Sequence, residues 1–199
     1  MKANFETALD ALSAFATLER DVEFPDLPWG PAMGIIVDAE GASAFRDLIE
    51  SRGTRRLRAK ADWVGGYPAI MTLAVDYLEA MRGRVKMRAA LDELLSRHEA
   101  VLAPTRGAVA PMIGYDFAKQ PGAPPPPPPE RPSPPATIPA GNLAGLPAVC
   151  VPNGLGQHGL PTSLQFLGRA FSETTLIAIA DRYQQATDWH KKRPPGITT

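Results

Sequence analysis

The fold of this chain is decided by NLAGLPAVCVP at residues 142–152 and by GLPTSLQFLGR at residues 159–169. The first stretch holds an apolar run at residues 148–151 between two prolines, which is typical of a buried strand. The second alternates after its proline and carries Leu164 and Phe166 on one face. Strands are therefore predicted at residues 148–152 and 163–168, with a reversal of the chain between them. A capped helix is predicted to begin at Ser172, with its inner face on Leu176, Ile179 or Ala180, and Tyr183. This succession of strands and helix predicts an α/β layer structure.

Helical periodicity predicts three more helices in the preceding part of the chain. The first has its N-cap at Asn4, the second begins near Asp38, and the third spans about residues 72–98. Short strands are predicted at residues 22–24 and 100–104, and a turn-rich loop at residues 141–147. The residues predicted to face inward from the three helices are Phe5, Leu9 and Leu12; Ala42, Phe45 and Ile49; and Leu73, Tyr77, Met81, Val85, Leu91, Leu94 and Leu95.

Composition and charge are those of an ordinary folded chain. The 199 residues are 44% hydrophobic, and 21 basic residues balance 21 acidic ones, so the formal net charge is zero. This balance argues against a surface built to bind nucleic acid or an anionic membrane. The one cysteine, Cys150, cannot form an internal disulfide. With no secretory signal and no apolar run of transmembrane length, we expect a cytoplasmic protein without membrane contact.

Proline is the compositional outlier, because ten of the 22 prolines lie within residues 121–135. Six of them are consecutive, at residues 124–129, which favours an exposed polyproline II segment. We therefore predict a proline-rich insert loop at residues 115–137. A flexible tail is predicted at residues 191–199.

Three familiar site patterns are each disfavoured by the residues around them. The GLGQHG sequence at residues 154–159 matches a dinucleotide fingerprint, but a strand follows it where the fingerprint needs a helix, so a hairpin loop is expected. His98, His158 and His190 have no metal-ligand spacing, and His98 and His190 are expected to satisfy carbonyls at helix ends. Cys150 could pair with His158 as nucleophile and base, but its apolar strand favours inert packing. No metal and no cofactor is expected.

A basic run follows the second predicted helix. It could contact RNA phosphates, but such runs are more often solvated surface, and the zero net charge supplies no supporting field. Nucleic acid is therefore not the expected partner. The run is predicted to be a loop and consists of Arg52, Arg55, Arg56, Arg58 and Lys60.

The two stretches at residues 142–152 and 159–169 resemble the C-terminal segment of the amidase signature family. VLAPT at residues 101–105, the AP and IG pairs that follow it, and a helix carrying Tyr77 and Arg84 or Arg88 resemble the family in the same order. That family includes amide hydrolases and the A subunit of the glutamyl-tRNA(Gln)/aspartyl-tRNA(Asn) amidotransferase. The resemblance implies an α/β fold, a mixed sheet covered by helices, of which residues 1–199 form one partial domain.

The resemblance also implies the chemistry. The family hydrolyses a carboxamide C–N bond with a nucleophilic serine in a Gly/Ser-rich loop, a second serine with a cis peptide, and an upstream lysine as base. In this chain the serines stand at positions 13, 43, 51, 96, 133, 163 and 172, and the one Gly-Gly pair is followed by Tyr67. No two serines are adjacent, and no serine lies in a glycine-rich loop. We expect no catalytic residue here, since that apparatus belongs to the family's N-terminal half, which would precede Met1.

Three interpretations remain open. The chain is a fragment or truncated product of an amidase that acts on a small amide with the missing N-terminal half or a full-length amidase partner. Alternatively it is a non-catalytic binding module or a fragment of the amidotransferase A subunit that acts with a partner or tRNA. The third interpretation is a piece that contacts RNA through Arg52 to Lys60. If completed, it is expected to bind substrate through Tyr77 and Asn142, although Tyr77 also fits an apolar stripe and Asn142 a turn. With no acid at residues 133–137, a general amidase is favoured over an amidotransferase component.

Overall fold

The structure is a computed structural model that describes residues 2–58, 62–110 and 137–194. The helices are α1 Lys2–Ser13, α2 Trp29–Ala44, α3 Arg46–Glu50, α4 Asp62–Ile70, α5 Ala74–Ser96, α6 Thr137–Ala144 and α7 Glu173–Ala186. The strands are β1 Ala100–Pro104, β2 Ala148–Leu155 and β3 Pro161–Gly168, and short 3₁₀ turns occur at Gly53–Arg56, Gln157–Gly159 and Trp189–Lys191. Most of the predicted proline-rich insert, and the end of the predicted tail, lie outside the described residues.

The chain divides into two compact units. The first, the sheet unit, comprises Met1–Phe24, Asp92–Tyr115 and Gly145–Thr199; the second, the helical unit, comprises Pro25–Leu91 and Asp116–Ala144. The long helix α5 contributes to both, because the division falls between Leu91 and Asp92.

The sheet unit contains three antiparallel strands in the order β1-β3-β2. The central strand β3 pairs Phe166 with Leu102 of β1, and Leu164 with Val151 of β2. Every residue of β3 from Leu164 to its end is buried, including the polar Gln165. The α/β class predicted from the sequence is confirmed, and so are the strands at residues 100–104, 148–152 and 163–168.

Helices α1 and α7 supply the other side of this core. Both pack against β2 and against each other, so their apolar stripes leave water together with the inner face of the sheet. The predicted inner faces of these two helices are therefore confirmed. The core consists of Ala8, Leu9, Leu12, Val151, Leu164, Phe166, Leu176, Ala180 and Tyr183.

A polar network ties α1 to the hairpin between β2 and β3. A bulge in β2 between Pro152 and Gly154 leaves Asn153 buried, and the Thr162 hydroxyl donates to its side-chain oxygen at 2.7 Å. The Asn4 amide then donates to the Thr162 hydroxyl at 2.9 Å and to the Leu155 carbonyl at 3.0 Å. The prediction that Asn4 caps α1 is wrong, because Asn4 lies inside the helix and its side chain is used in this long-range contact.

His98 follows the last turn of α5 and occupies the position predicted for it. Its Nδ1 donates to the Leu94 carbonyl at 3.0 Å, and its Nε2 lies 2.8 Å from a Glu19 carboxylate oxygen. These two contacts raise the pKa of His98 above its ordinary 6.5, the carbonyl bond being the larger cause. The corresponding prediction for His190 is wrong, because within the described residues its Nδ1 is buried without a hydrogen-bond partner.

Several predicted boundaries are corrected between residues 22 and 45. The described residues have no strand at 22–24, and the second helix begins at Trp29 rather than near Asp38. The Trp29 indole donates to the Pro25 carbonyl at 2.9 Å, and Pro31 is accepted because it lies in the first turn. Phe45, expected to face inward, is exposed, since it sits at the junction of α2 and α3.

Two loop predictions and one cap are also corrected. Residues 141–144 belong to α6, and the turn is confined to Gly145, whose φ of +70° ends the helix in the left-handed region. Part of the basic stretch forms the 3₁₀ turn Gly53–Arg56. Ser172 precedes α7 without a side-chain cap, because its hydroxyl donates to the Arg169 carbonyl.

The GLGQHG sequence forms the predicted hairpin connection. The Gly156 amide donates to the Leu160 carbonyl at 2.7 Å, and Gly159 adopts a φ of +69°. Strand β3 follows directly rather than a helix, so the structural context of a dinucleotide fingerprint is absent at this position.

In the helical unit, α2 packs against α4 and α6. Small residues make the close approach of α6 possible, since Ala140, Gly141 and Ala144 are all buried. The long helix α5 is confirmed as an element, but part of its predicted inner face is wrong. Leu73 and Val85 are exposed, whereas Leu91, Leu94 and Leu95 are buried as expected.

Candidate substrate-binding region

The two predicted substrate-binding residues both lie in the helical unit. Tyr77 is in the first turn of α5 and is half-buried, while Asn142 is in the second half of α6 and is exposed. Asn142 does not close a turn, as the alternative interpretation had it, because Gly145 has that role. Neither side chain makes a hydrogen bond to another described residue, so both have polar groups free for a ligand.

Helix α6 is tied to α5 by one hydrogen bond beside these residues. The Arg84 guanidinium donates from Nε to the Leu143 carbonyl at 2.6 Å. Arg84 follows Tyr77 by seven residues, so the two project from the same face of α5, about 10 Å apart along its axis. Leu143 is the neighbour of Asn142 in α6. The Arg84 bond therefore joins the helices that carry Tyr77 and Asn142, and no hydrogen bond among the described residues joins the two side chains directly.

The sequence predicts only part of a second polar feature of the helical unit. An open cleft of about 550 Å³ is lined by Arg52, Arg55, Trp63, Val64 and Tyr67. The sequence marked the arginines as a basic run, but it did not place the aromatic rings beside them. The spacing of Trp63 and Tyr67, four residues apart just after the run, was the available signal.

Trp63 is held in place by two hydrogen bonds. Its indole Nε1 donates to the Leu57 carbonyl at 2.8 Å, and the Thr54 hydroxyl donates to its main-chain oxygen at 3.0 Å. Guanidinium groups beside aromatic rings can accommodate an anionic or planar group through charge and stacking.

Most of the described serines make local hydrogen bonds. Four of them donate to a main-chain carbonyl three residues earlier, a common backbone contact of serine at turns and helix ends. These are Ser13, Ser51, Ser96 and Ser172. Among the residues that the structure describes, no serine hydroxyl hydrogen-bonds to a lysine, a histidine or a carboxylate. None of these serines therefore has the neighbouring base that nucleophilic catalysis requires.

Cys150 differs from its predicted environment. It is exposed rather than packed, and its thiol lies 4.0 Å from the Gln165 side-chain oxygen. His158, the base considered for it, is exposed in the hairpin connection and makes no hydrogen bond to Cys150 within the described ranges. The described part of the chain also contains no group of three acidic, histidine or cysteine side chains arranged to hold a metal ion. None of its helices is both long and apolar enough to cross a membrane.

Comparison with known proteins gives a family match over most of the chain. The model of the Amidase family matches residues 1–177. The A subunit of glutamyl-tRNA(Gln) amidotransferase from Roseiflexus sp. is 31% identical over 215 aligned residues, covering 94% of this chain and 41% of the relative. Its counterpart from Bordetella avium is 58% identical over 53 residues, which are 27% of this chain and 10% of the relative.

A solved structure gives the same fold. A bacterial aryl acylamidase belonging to the amidase signature enzymes superposes with a TM-score of 0.69 at 15% identity, covering 96% of this chain and 42% of its own. The chain thus spans less than half the length of these proteins.

Proposed function

Because the chain belongs to the amidase family, we propose that it forms the substrate-binding and scaffold part of an amide hydrolase whose catalytic serines and lysine lie on another segment. The observation that carries this proposal is the combination of a family match at residues 1–177 with serine hydroxyls that donate to local carbonyls. On this proposal the chain alone does not hydrolyse amides. The partner is the complementary part of an amidase polypeptide.

The chemistry of the family explains why the parts depend on each other. A serine hydroxyl attacks a carboxamide only after a base removes its proton, and the tetrahedral oxyanion then needs fixed donors. The scaffold part is proposed to supply the side chains that hold the amide in position for this attack. Tyr77 and Asn142 are proposed for that role, because their polar groups are free and their helices are joined by the Arg84 bond.

The substrate is proposed to be the small carboxamide of a general amidase rather than the amide donor of a tRNA-dependent amidotransferase. No acidic residue stands at residues 133–137, in the sequence just before α6 and Asn142. The relatives with extensive sequence matches are nevertheless named as A subunits of an amidotransferase, so that role, with a partner or tRNA, is the second candidate.

A serine-directed fluorophosphonate probe tests the missing nucleophile. The isolated chain is expected to remain unlabelled at concentrations that label a complete amidase of the family, since no described serine has a base beside it. Stoichiometric labelling at any serine of this chain would refute the proposal. Heat-denatured chain is the control for nonspecific modification.

A further inference from the structure

We infer that α4 and α5 of the helical unit present an apolar face on which the remaining part of an amidase polypeptide docks. The inference rests on the proposed function and assigns its interface. Seven large apolar side chains between residues 64 and 85 are exposed. They define the α4–α5 face and are Val64, Tyr67, Met71, Leu73, Val75, Leu78 and Val85.

On α4 the exposed residues follow helical spacing. Val64, Tyr67 and Met71 are separated by three and four residues, so they project from one side of the helix and of the turn that ends it. Gly66 packs closely against Ile49, because a Cβ added to Gly66 would lie 2.7 Å from the Ile49 side chain. One side of α4 is therefore packed and the other, with Met71 76% exposed, has no cover among the described residues.

On α5 the same two-sided pattern is repeated. Leu78 and Val85 are seven residues apart, which places them about 20° from each other around the helix. Met87 and Leu91 project about 180° and 140° away from Leu78 and are buried. Leu78 and Val85 are 51% and 71% exposed. A helix that is apolar on opposite sides is suited to burial on both, so the outer stripe lacks its partner.

The occupant follows from length and charge. Both helices fall inside the family match, yet this chain covers only 41% of the Roseiflexus relative and 42% of the aryl acylamidase. The remaining part of such a polypeptide is the segment available to cover this face. Glu79, Arg82 and Lys86 lie within about 100° of Leu78 around α5, so charged side chains border the stripe as at a protein interface with a polar rim.

Site-specific photo-crosslinking tests this assignment. The tagged full chain, with a photoreactive amino acid at Leu78 or Val85, is co-expressed with the part of the Roseiflexus relative outside the matched stretch. Crosslinks to that polypeptide are expected from both positions and not from Ile177, which is exposed on α7. L78E/V85E is expected to reduce the co-purified polypeptide at least tenfold, whereas the matched control I177E leaves it unchanged. Circular dichroism of the free variants confirms that they fold.

Two results would overturn the inference. Undiminished co-purification with folded L78E/V85E would place the interface elsewhere, and crosslinks joining two copies of this chain would make the face a homodimer contact. Neither result depends on turnover. A pair that docks through this face but hydrolyses no amide would instead refute the proposed function and leave the interface standing.

Discussion

Asn4 and Gly154 form a residue pair in which side-chain contact and backbone strain can be separated. Gly154 has a φ of +148°, and a Cβ there would lie 2.5 Å from the Asn4 amide nitrogen. Gly154→Ala is expected to destabilise the chain by about 2–4 kcal/mol, combining strain with the steric clash. Asn4→Ala removes the clash, so the double variant should lose less than the sum of the single losses.

A double-mutant cycle by urea denaturation measures this coupling. Gly145→Ala serves as the control for strain alone, because nothing lies within 4 Å of the position its Cβ would take. Strict additivity of Asn4→Ala and Gly154→Ala would contradict the packing of α1 on the hairpin connection.

His98 gives the sheet unit a pH-dependent contact. Because the pKa of His98 is raised in the folded chain, folding favours the imidazolium. The resulting stabilisation is complete below pH 6.5 and is lost as the pH rises through the pKa of the folded state. Because Glu19 is 68% exposed, the effect is expected to be small.

An NMR titration of His98 from about pH 5.5 to about pH 8 is expected to show a pKa above the ordinary value of about 6.5. Glu19→Gln should lower it, and Glu93→Gln, which changes an exposed acid outside this contact, should not. A value at or below the ordinary one would contradict the two hydrogen bonds.

At the scale of elements, α6 shows where sequence reasoning fails. Gly141 and Asn142 favour a turn, but the small buried face of Ala140, Gly141 and Ala144 packs on α2, and this tertiary contact overrides weak helix propensity. The turn that the sequence predicts does occur, but it lies at Gly145, after α6 has ended. The start of α2 is predicted too late for a related reason. Gly30 and Pro31 favour a loop in the sequence, but both residues also fit the first turn of a helix.

Gly145→Ala is the corresponding prediction for this helix end. The left-handed φ of +70° costs an alanine about 1 kcal/mol, while the open space around it adds no clash. Thermal unfolding should shift accordingly, and Gly107→Ala, at a glycine with neither a positive φ nor a close neighbour, is the control. An unchanged melting temperature would contradict Gly145 as the residue that ends α6.

The strands and the long helix are predictable because their signals are local and strong. Residues 148–152 are an apolar run and residues 163–168 alternate about Leu164 and Phe166, and each forms a strand. The inner face of α5 is predicted less well, because the helix is apolar on two sides and periodicity alone cannot say which one is buried here. Leu73 and Val85 are predicted to face inward, whereas in the described structure they lie on the outer side.

The candidate site is predictable only in outline. The resemblance carries Tyr77 and Asn142, and the structure places their helices together through Arg84. The cleft beside Arg52 and Arg55 is not predictable as a unit, since the approach of Trp63 depends on its hydrogen bond to the Leu57 carbonyl. Distances of this kind are set by tertiary packing rather than by residue spacing.

At the scale of the whole molecule, the sequence match and the exposed apolar face support the same account. The chain belongs to a family of longer proteins, covers 41% of one relative, and exposes the α4–α5 face that a further segment would bury. Such surface on a lone chain favours self-association, so the isolated protein is expected to be less soluble than a completed one.

Amide turnover by the chain alone and after complementation tests the central claim most directly. The account predicts no hydrolysis of a simple carboxamide by the isolated chain, and turnover once the remaining part of an amidase polypeptide is co-expressed with it. Tyr77→Phe in the complemented pair should raise KM, as expected for a residue that holds substrate. Hydrolysis of the carboxamide by the isolated chain would contradict the account, whether or not it depends on a serine of this chain.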